Sequence, residues 1–189
     1  MADVAQELIH RHRLSVDDYH LMAEAGILHE DSRVELINGD VVDMPPIGSE
    51  HAGTVKQLSR LFTLAIGQSA LVSTQDPVVL GESSEPEPNI ALLRSREDFY
   101  KSSHPGSEDI LLIVEVADSS VRYDREVKVP LFAQYEIPEV WLVDLPSRVL
   151  EIYQDPAGGR YRRLIRPGAL GMFSPKALPE VTFDLSGLF

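Results

Sequence analysis

Apolar residues recur from His51 to Ile66 at Val55, Leu58, Leu61, Phe62, Ala65 and Ile66, a spacing that predicts a helix with one face against a sheet and a stop at Gly67. Upstream, Ser15-Val16-Asp17-Asp18 precedes Tyr19, Leu21, Met22 and Ala25. A serine cap with acids in the first turn predicts a short helix that Gly26 ends. Between these helices, Val34-Glu35-Leu36-Ile37 and Val41-Val42-Asp43-Met44 flank Asn38-Gly39. That dipeptide favours the positive backbone φ angles of a tight turn, so the segment predicts a β-hairpin.

Four further segments are rich in β-formers and are expected to be strands: Val72 to Leu80, Asn89 to Leu93, Asp109 to Ala117 and Glu139 to Asp144. Tyr123 to Glu136 has a helical pattern in Val127, Leu131 and Tyr135, so Asp109 to Asp144 reads as a strand-helix-strand crossover. Pro130 predicts a late start or a kink in that helix. Val149 to Tyr153, Tyr161 to Ile165 and a tail of Val181 to Phe189 read as short antiparallel strands around a Gly158-Gly159 turn, a meander extending the sheet edge. Gly81 to Pro88, dense in Glu, Ser and Pro, reads as a loop.

With 189 residues, 43% of them hydrophobic, the chain suits one core, so we expect a loose arm over 1–13 and a single domain over 14–189. The first residues lack the apolar run of a secretory signal, and no apolar stretch approaches the roughly 18 residues of a membrane span. No membrane association is expected. Cysteine is absent, which excludes disulfides, thiolate zinc sites and cysteine nucleophiles and suits a cytoplasmic location. Against 17 basic residues stand 30 acidic ones, a net charge of −13. Such a surface repels nucleic acid at long range, so a nucleic-acid site needs a local basic patch, divalent cations or a basic partner.

The chemistry concentrates at Glu115, in the middle of Leu111-Leu112-Ile113-Val114-Glu115-Val116, where a buried carboxylate is costly unless paired or bound to a cation. Glu87 and Asn89, two apart and on one face of an extended segment, are candidate partners, together with Glu35 on the hairpin. Oxygen ligands of this kind suit Mg2+ or Mn2+. Lys128 follows Glu115 by 13 residues and returns from the crossover helix to the same sheet edge, and Tyr135, two helical turns further on, is a candidate to line the same cleft. Carboxylates, a metal and a lysine make a phosphodiesterase site, in which the ammonium orients water or offsets charge on phosphorus.

Each residue also has a plainer reading. Arg125 or Lys128 neutralises Glu115 in a buried ion pair, Lys128 is a solvated helix residue, and Glu35 is an outward-facing strand position. His51 is a surface histidine and Asp124 a helix cap.

The motif order runs Val34-Glu35-Leu36-Ile37-Asn38-Gly39-Asp40, His51, then Glu85-Pro86-Glu87-Pro88-Asn89-Ile90-Ala91-Leu92. Val114-Glu115-Val116-Ala117-Asp118-Ser119-Ser120, Tyr123-Asp124-Arg125, Lys128 and Ile137-Pro138-Glu139-Val140-Trp141-Leu142-Val143-Asp144 follow. This order resembles the Uma-two-type restriction endonuclease family of the PD-(D/E)XK nuclease superfamily. The resemblance implies an α/β (mixed α+β) fold, a restriction-endonuclease-like mixed sheet flanked by helices with an additional antiparallel meander. It also implies a Mg2+- or Mn2+-dependent endonuclease acting on DNA. Glu115 matches the metal-binding glutamate, Lys128 a lysine displaced to the following helix, Glu35 the early acidic residue, and His51 a histidine of the pattern. Asn89 stands where the family pattern has aspartate, and Glu87 is a substitute ligand from the same face.

Three functions are therefore carried forward. The first is a metal-dependent endonuclease, for which a homodimer is a natural form because two copies of one site cut two strands. The second is a non-catalytic relative that binds nucleic acid or protein, and the third a carboxylate hydrolase of another substrate, such as a glycoside.

Overall fold

Ser15 opens helix α1 (Val16–Glu24) in the computed structural model, which describes residues 11–29 and 31–189. The cap is reciprocal: Asp18 N–H donates to Ser15 Oγ at 3.1 Å, and Ser15 N–H donates to Asp18 Oδ2 at 2.9 Å. Gly26, at φ +71°, follows the last turn, as its freedom from Cβ strain allows. Of the expected arm, residues 1–10 lie outside the described residues; Arg13 forms an ion pair with Asp40 on the hairpin.

Strands β1 (Val34–Ile37) and β2 (Asp40–Asp43) form the expected hairpin, with Ile37 opposite Asp40. Asn38 and Gly39 both have positive φ, +51° and +79°, and a Cβ on Gly39 would stand 2.7 Å from the Cβ of Arg13. Helix α2 (Ser49–Ile66) begins two residues before the predicted start and ends at Gly67.

The main sheet is mixed. It comprises β3 (Leu71–Ser73), β4 (Ile90–Leu93), β5 (Ile110–Ala117), β6 (Glu139–Asp144), β7 (Val149–Ala157) and β8 (Arg160–Ile165), in that spatial order. β5 and β6 run parallel and every other pair is antiparallel, so the crossover and the β6-β7-β8 meander both form. Side chains alternate across the sheet. Leu112, Val114 and Val116 share a core with Val55, Leu58, Phe62 and Ile66 of α2, whereas Ile113 and Ala117 share a second core with Val129, Leu131 and Phe132 of helix α3 (residues 121–134). Glu115, in phase with Ile113 and Ala117, therefore faces α3. In the first core Trp141 and Phe183 pack on Phe62, with ring centroids 6.1 and 4.4 Å away. The indole N–H of Trp141 donates to buried Glu139 at 2.6 Å, which satisfies the ring's polar end.

Helix α3 spans Val121–Tyr123, a π-helical stretch Asp124–Lys128 and Val129–Gln134, two residues displaced from the predicted Tyr123 to Glu136. Pro130 supplies the reason for the π stretch. Its ring would strike the carbonyl four residues back in a regular helix, and the widened turn just before it, with Val129 N–H bonded to Asp124 C=O, makes the room.

Two strand expectations need correction. Val72 to Leu80 is not one strand: β3 ends at Ser73, Gln75 turns the chain at φ +56°, and Val78, Val79 and Leu80 bond to Pro86, Pro105 and Ser84. The β-formers there are buried by loop packing, without a ladder. The tail does not extend the meander; β9 (Met172–Phe173) and β10 (Phe183–Asp184) pair as a separate two-stranded sheet beside α2.

Candidate active site

Hairpin β1-β2 carries Glu35 into the protein, and the Gly81 to Pro88 loop is laid along it. Glu85 N–H donates to Leu36 C=O at 2.7 Å, Leu36 N–H returns to Glu85 C=O at 3.3 Å, and Gly39 N–H donates to Ser83 C=O at 2.7 Å. This pairing brings Glu87 N–H to 3.3 Å from Glu35 Oε2 and delivers Asn89 to the start of β4. Asn89 then bridges to β5 twice. Its backbone N–H donates to Glu115 Oε2 at 3.2 Å, and its Oδ1 accepts from Val116 N–H at 2.7 Å.

Lys128 arrives from the π stretch of α3. Its Nζ stands 2.7 Å from Glu115 Oε1 and 3.2 Å from Glu35 Oε2, and all three side chains are buried. The contact with Glu115 is ionic and off the direction of a hydrogen bond, so Oε1 keeps an unshared acceptor position. One turn earlier, Asp124 is also buried and accepts from Ser120 Oγ at 2.6 Å. These groups line a cleft of about 630 Å³, together with His51, Glu87, Asn89, Asp118 and Tyr123.

The electrostatics follow from burial. Desolvation pushes the Glu115 carboxyl up to about 7 against the pull of Lys128, and likewise raises Asp124. Glu87, half-buried and close to Glu35, is raised too. Burial alone would lower Lys128, but Glu115, Glu35 and Asp124 outweigh it and hold the ammonium above the ordinary lysine range. His51 is lowered by burial, which favours the neutral imidazole, and the Tyr123 hydroxyl is raised by burial and by Glu35.

A metal must be fitted to this donor set. Among the described residues no three His, Asp or Glu side chains stand together as a ligand group. Magnesium needs no such cage: it takes oxygen donors, usually one or two carboxylates completed by water and phosphate. Glu115 Oε1, the Asn89 amide oxygen and Glu87 are oxygen donors on the wall of this cleft, and they fit that chemistry.

The model of a family described as "Putative restriction endonuclease" (Uma2) matches residues 16–186. The chain belongs to the Uma2 family. The crystal structure of "a putative nuclease belonging to DUF820" from Anabaena variabilis superposes with a TM-score of 0.69 over 93% of this chain and 97% of that one, at 14% identity. No curated protein matches the chain. The expected family and the restriction-endonuclease-like mixed sheet are borne out, and the family supports a nuclease function in general.

In this Uma2 chain the cleft brings together Glu35, Glu87, Asn89, Glu115, Lys128, His51 and Asp124. Glu87 and Asn89 do so from the segment before β4, not from within a strand. Three plainer readings are corrected: Lys128 is buried rather than solvated, Glu35 faces inward, and Asp124 lies inside α3 rather than at its cap. Of the two ion-pair partners considered for Glu115, Lys128 forms the buried pair, at 2.7 Å, whereas Arg125 pairs with Glu151 and Asp144, each at 3.0 Å. Tyr135 lies outside the cleft lining and packs over Gly81, where a Cβ would meet its hydroxyl at 2.5 Å. Tyr123, like Asp118, is a lining residue that was not singled out for the site from the sequence. Its place directly before Asp124-Arg125 in the motif order was the available signal.

Proposed function

We propose that this cleft hydrolyses DNA phosphodiester bonds with Mg2+ or Mn2+ held by Glu115, Asn89 and Glu87. One observation carries the reading. Among the described residues, the buried side-chain polar atoms without a hydrogen bond are His51 Nδ1, Glu115 Oε1 and Tyr123 Oη, and all three residues line this cleft. Leaving such an atom unpaired costs about 1–3 kcal/mol, so their convergence on one concavity marks a place prepared for a polar ligand. A phosphodiester with an accompanying cation offers polar partners to His51 Nδ1 and Tyr123 Oη and a second positive charge to Glu115 Oε1, which already faces Lys128 Nζ at 2.7 Å.

When bound, the divalent ion polarises a phosphoryl oxygen and lowers the pKa of water. Lys128, clamped between Glu35 and Glu115, holds positive charge at the cleft wall, where it orients the attacking water and offsets charge gathering on phosphorus. Tyr123 Oη donates to a non-bridging phosphate oxygen. The water oxygen bonds to phosphorus and gives up a proton to solvent as the ester P–O bond breaks, and the leaving oxygen takes up a proton from solvent.

A second reading rests on Asn89. Its amide oxygen is engaged by Val116 N–H and brings no negative charge, an arrangement that also suits a relative that binds nucleic acid without cutting it. Titration of Mn2+, followed by the electron paramagnetic resonance of the free ion, tests the metal site. The parent is expected to bind, more tightly with an oligodeoxynucleotide present, and Glu115→Ala to lose most of that binding. A parent that takes up no Mn2+ under either condition removes the metal-dependent reading.

A further inference from the structure

Carboxylates outnumber the two cations of the cleft, Arg33 and the clamped Lys128, on a chain of net charge −13, so a DNA strand entering it gains from further cationic contacts on a neighbouring surface. Lys56 and Arg60 stand one turn apart on α2, exposed, and neither forms an ion pair with a described residue. They line a groove of about 450 Å³ between α2 and Thr74-Gln75, to which Ser59 and Thr63 add hydroxyls and no acidic side chain contributes. Ile47 and Gln75 are walls of both this groove and the cleft, so the two adjoin. The other basic run, Arg160, Arg162, Arg163 and Arg166, lies on and just beyond β8, at the edge of the sheet three strands from β5, and Arg166 is held by Glu151 at 2.7 Å.

We propose that the α2 groove is the track along which a DNA strand leaves the cleft, with Lys56 and Arg60 on neighbouring phosphates. Four helical residues rise about 6 Å, close to the separation of successive phosphates on one strand. The groove presents two cations without an ion-pair partner among the described residues and no carboxylate, whereas the cleft sets its cations, Arg33 and the clamped Lys128, among several carboxylates. This inference rests on the phosphodiesterase reading for the identity of its ligand.

The test is binding of a fluorescein-labelled single strand to the full chain across a salt series, with Ca2+ replacing Mg2+. A double variant, Lys56→Ala with Arg60→Ala, is compared with the charge-matched Arg160→Ala with Arg163→Ala. Loss of two phosphate contacts flattens the slope of log K against log salt by about 1.4 for a single strand. That change is expected in the α2 variant and not in the β8 variant. An unchanged slope in the α2 variant, equal flattening in both, or no binding by the parent at low salt overturns the proposal. Hydrolysis of bis(p-nitrophenyl) phosphate, too short to reach the groove, separates the two ideas. The α2 variant is expected to keep the parent's rate. A parent inert on every diester removes the nuclease reading, while the salt slopes still decide the groove.

Discussion

Replacing Lys128 with methionine removes the one ammonium that separates two buried carboxylates while keeping a side chain of similar length. At an effective dielectric of ~20, unit charges at 2.7 and 3.2 Å attract by about 5–6 kcal/mol per contact, most of it offset by the desolvation of three charged groups. Breaking such a cluster from one side leaves carboxylates buried without a counter-charge, at a cost of about 3–5 kcal/mol. Without the pull of Lys128 the Glu115 carboxyl keeps its proton to a higher pH than in the parent, where it is pushed up to about 7, so the deficit of Lys128→Met should be largest near pH 8 and smaller at pH 5.5, where Glu115 is protonated in both proteins. Urea unfolding at pH 8 and at pH 5.5, followed by the fluorescence of the single Trp141, measures both quantities. Adding Glu115→Gln should recover part of the loss at pH 8. A deficit under 1 kcal/mol, or one equal at the two pH values, would refute the buried clamp.

Three further outcomes are expected. Because the folded-state value of Glu115 is raised, the folded protein holds that proton more tightly than the unfolded chain. Its burial therefore subtracts stability as the pH rises from about 4.5 to about 7, and Glu115→Gln should flatten the thermal-unfolding profile across that window. Gly39→Ala places a methyl against Arg13 at positive φ and should lower stability by about 1–3 kcal/mol in chemical denaturation, whereas the roomier Gly26→Ala should cost less. Asn89→Asp adds a negative charge beside Glu115 while an oxygen remains for Val116 N–H, so calorimetry should find tighter Mg2+ binding than in the parent.

The hairpin was legible because Asn38-Gly39 encodes a backbone conformation as well as a polarity, and the crossover because apolar runs of the right length frame a helical period. Val78 and Leu80 misled because burial and β-propensity do not reveal where backbone hydrogen bonds go. Theirs are satisfied by the loop of residues 81–88, a partner that no local pattern discloses. Pro130 announced an irregular helix, but its form as a π turn depends on fitting α3 over the sheet. At the site, Glu115 stood out as a carboxylate in an apolar strand. The side chains around it could be nominated by type and chain order only. Asp124 looked like a cap because capping residues and buried ligands share a chemistry, and Tyr135 was assigned to the cleft on helical phase alone, which the widened turn shifts.

The central claim, that the cleft around Glu115 and Lys128 cuts DNA, is tested most directly by incubating purified protein with supercoiled plasmid and with single-stranded DNA in Mg2+ or Mn2+, with Glu115→Ala prepared in parallel. Metal-dependent cleavage by the parent, abolished by the substitution and by chelation, is the predicted result. Cleavage that persists in Glu115→Ala, or an intact substrate with the parent in both metals, would contradict it.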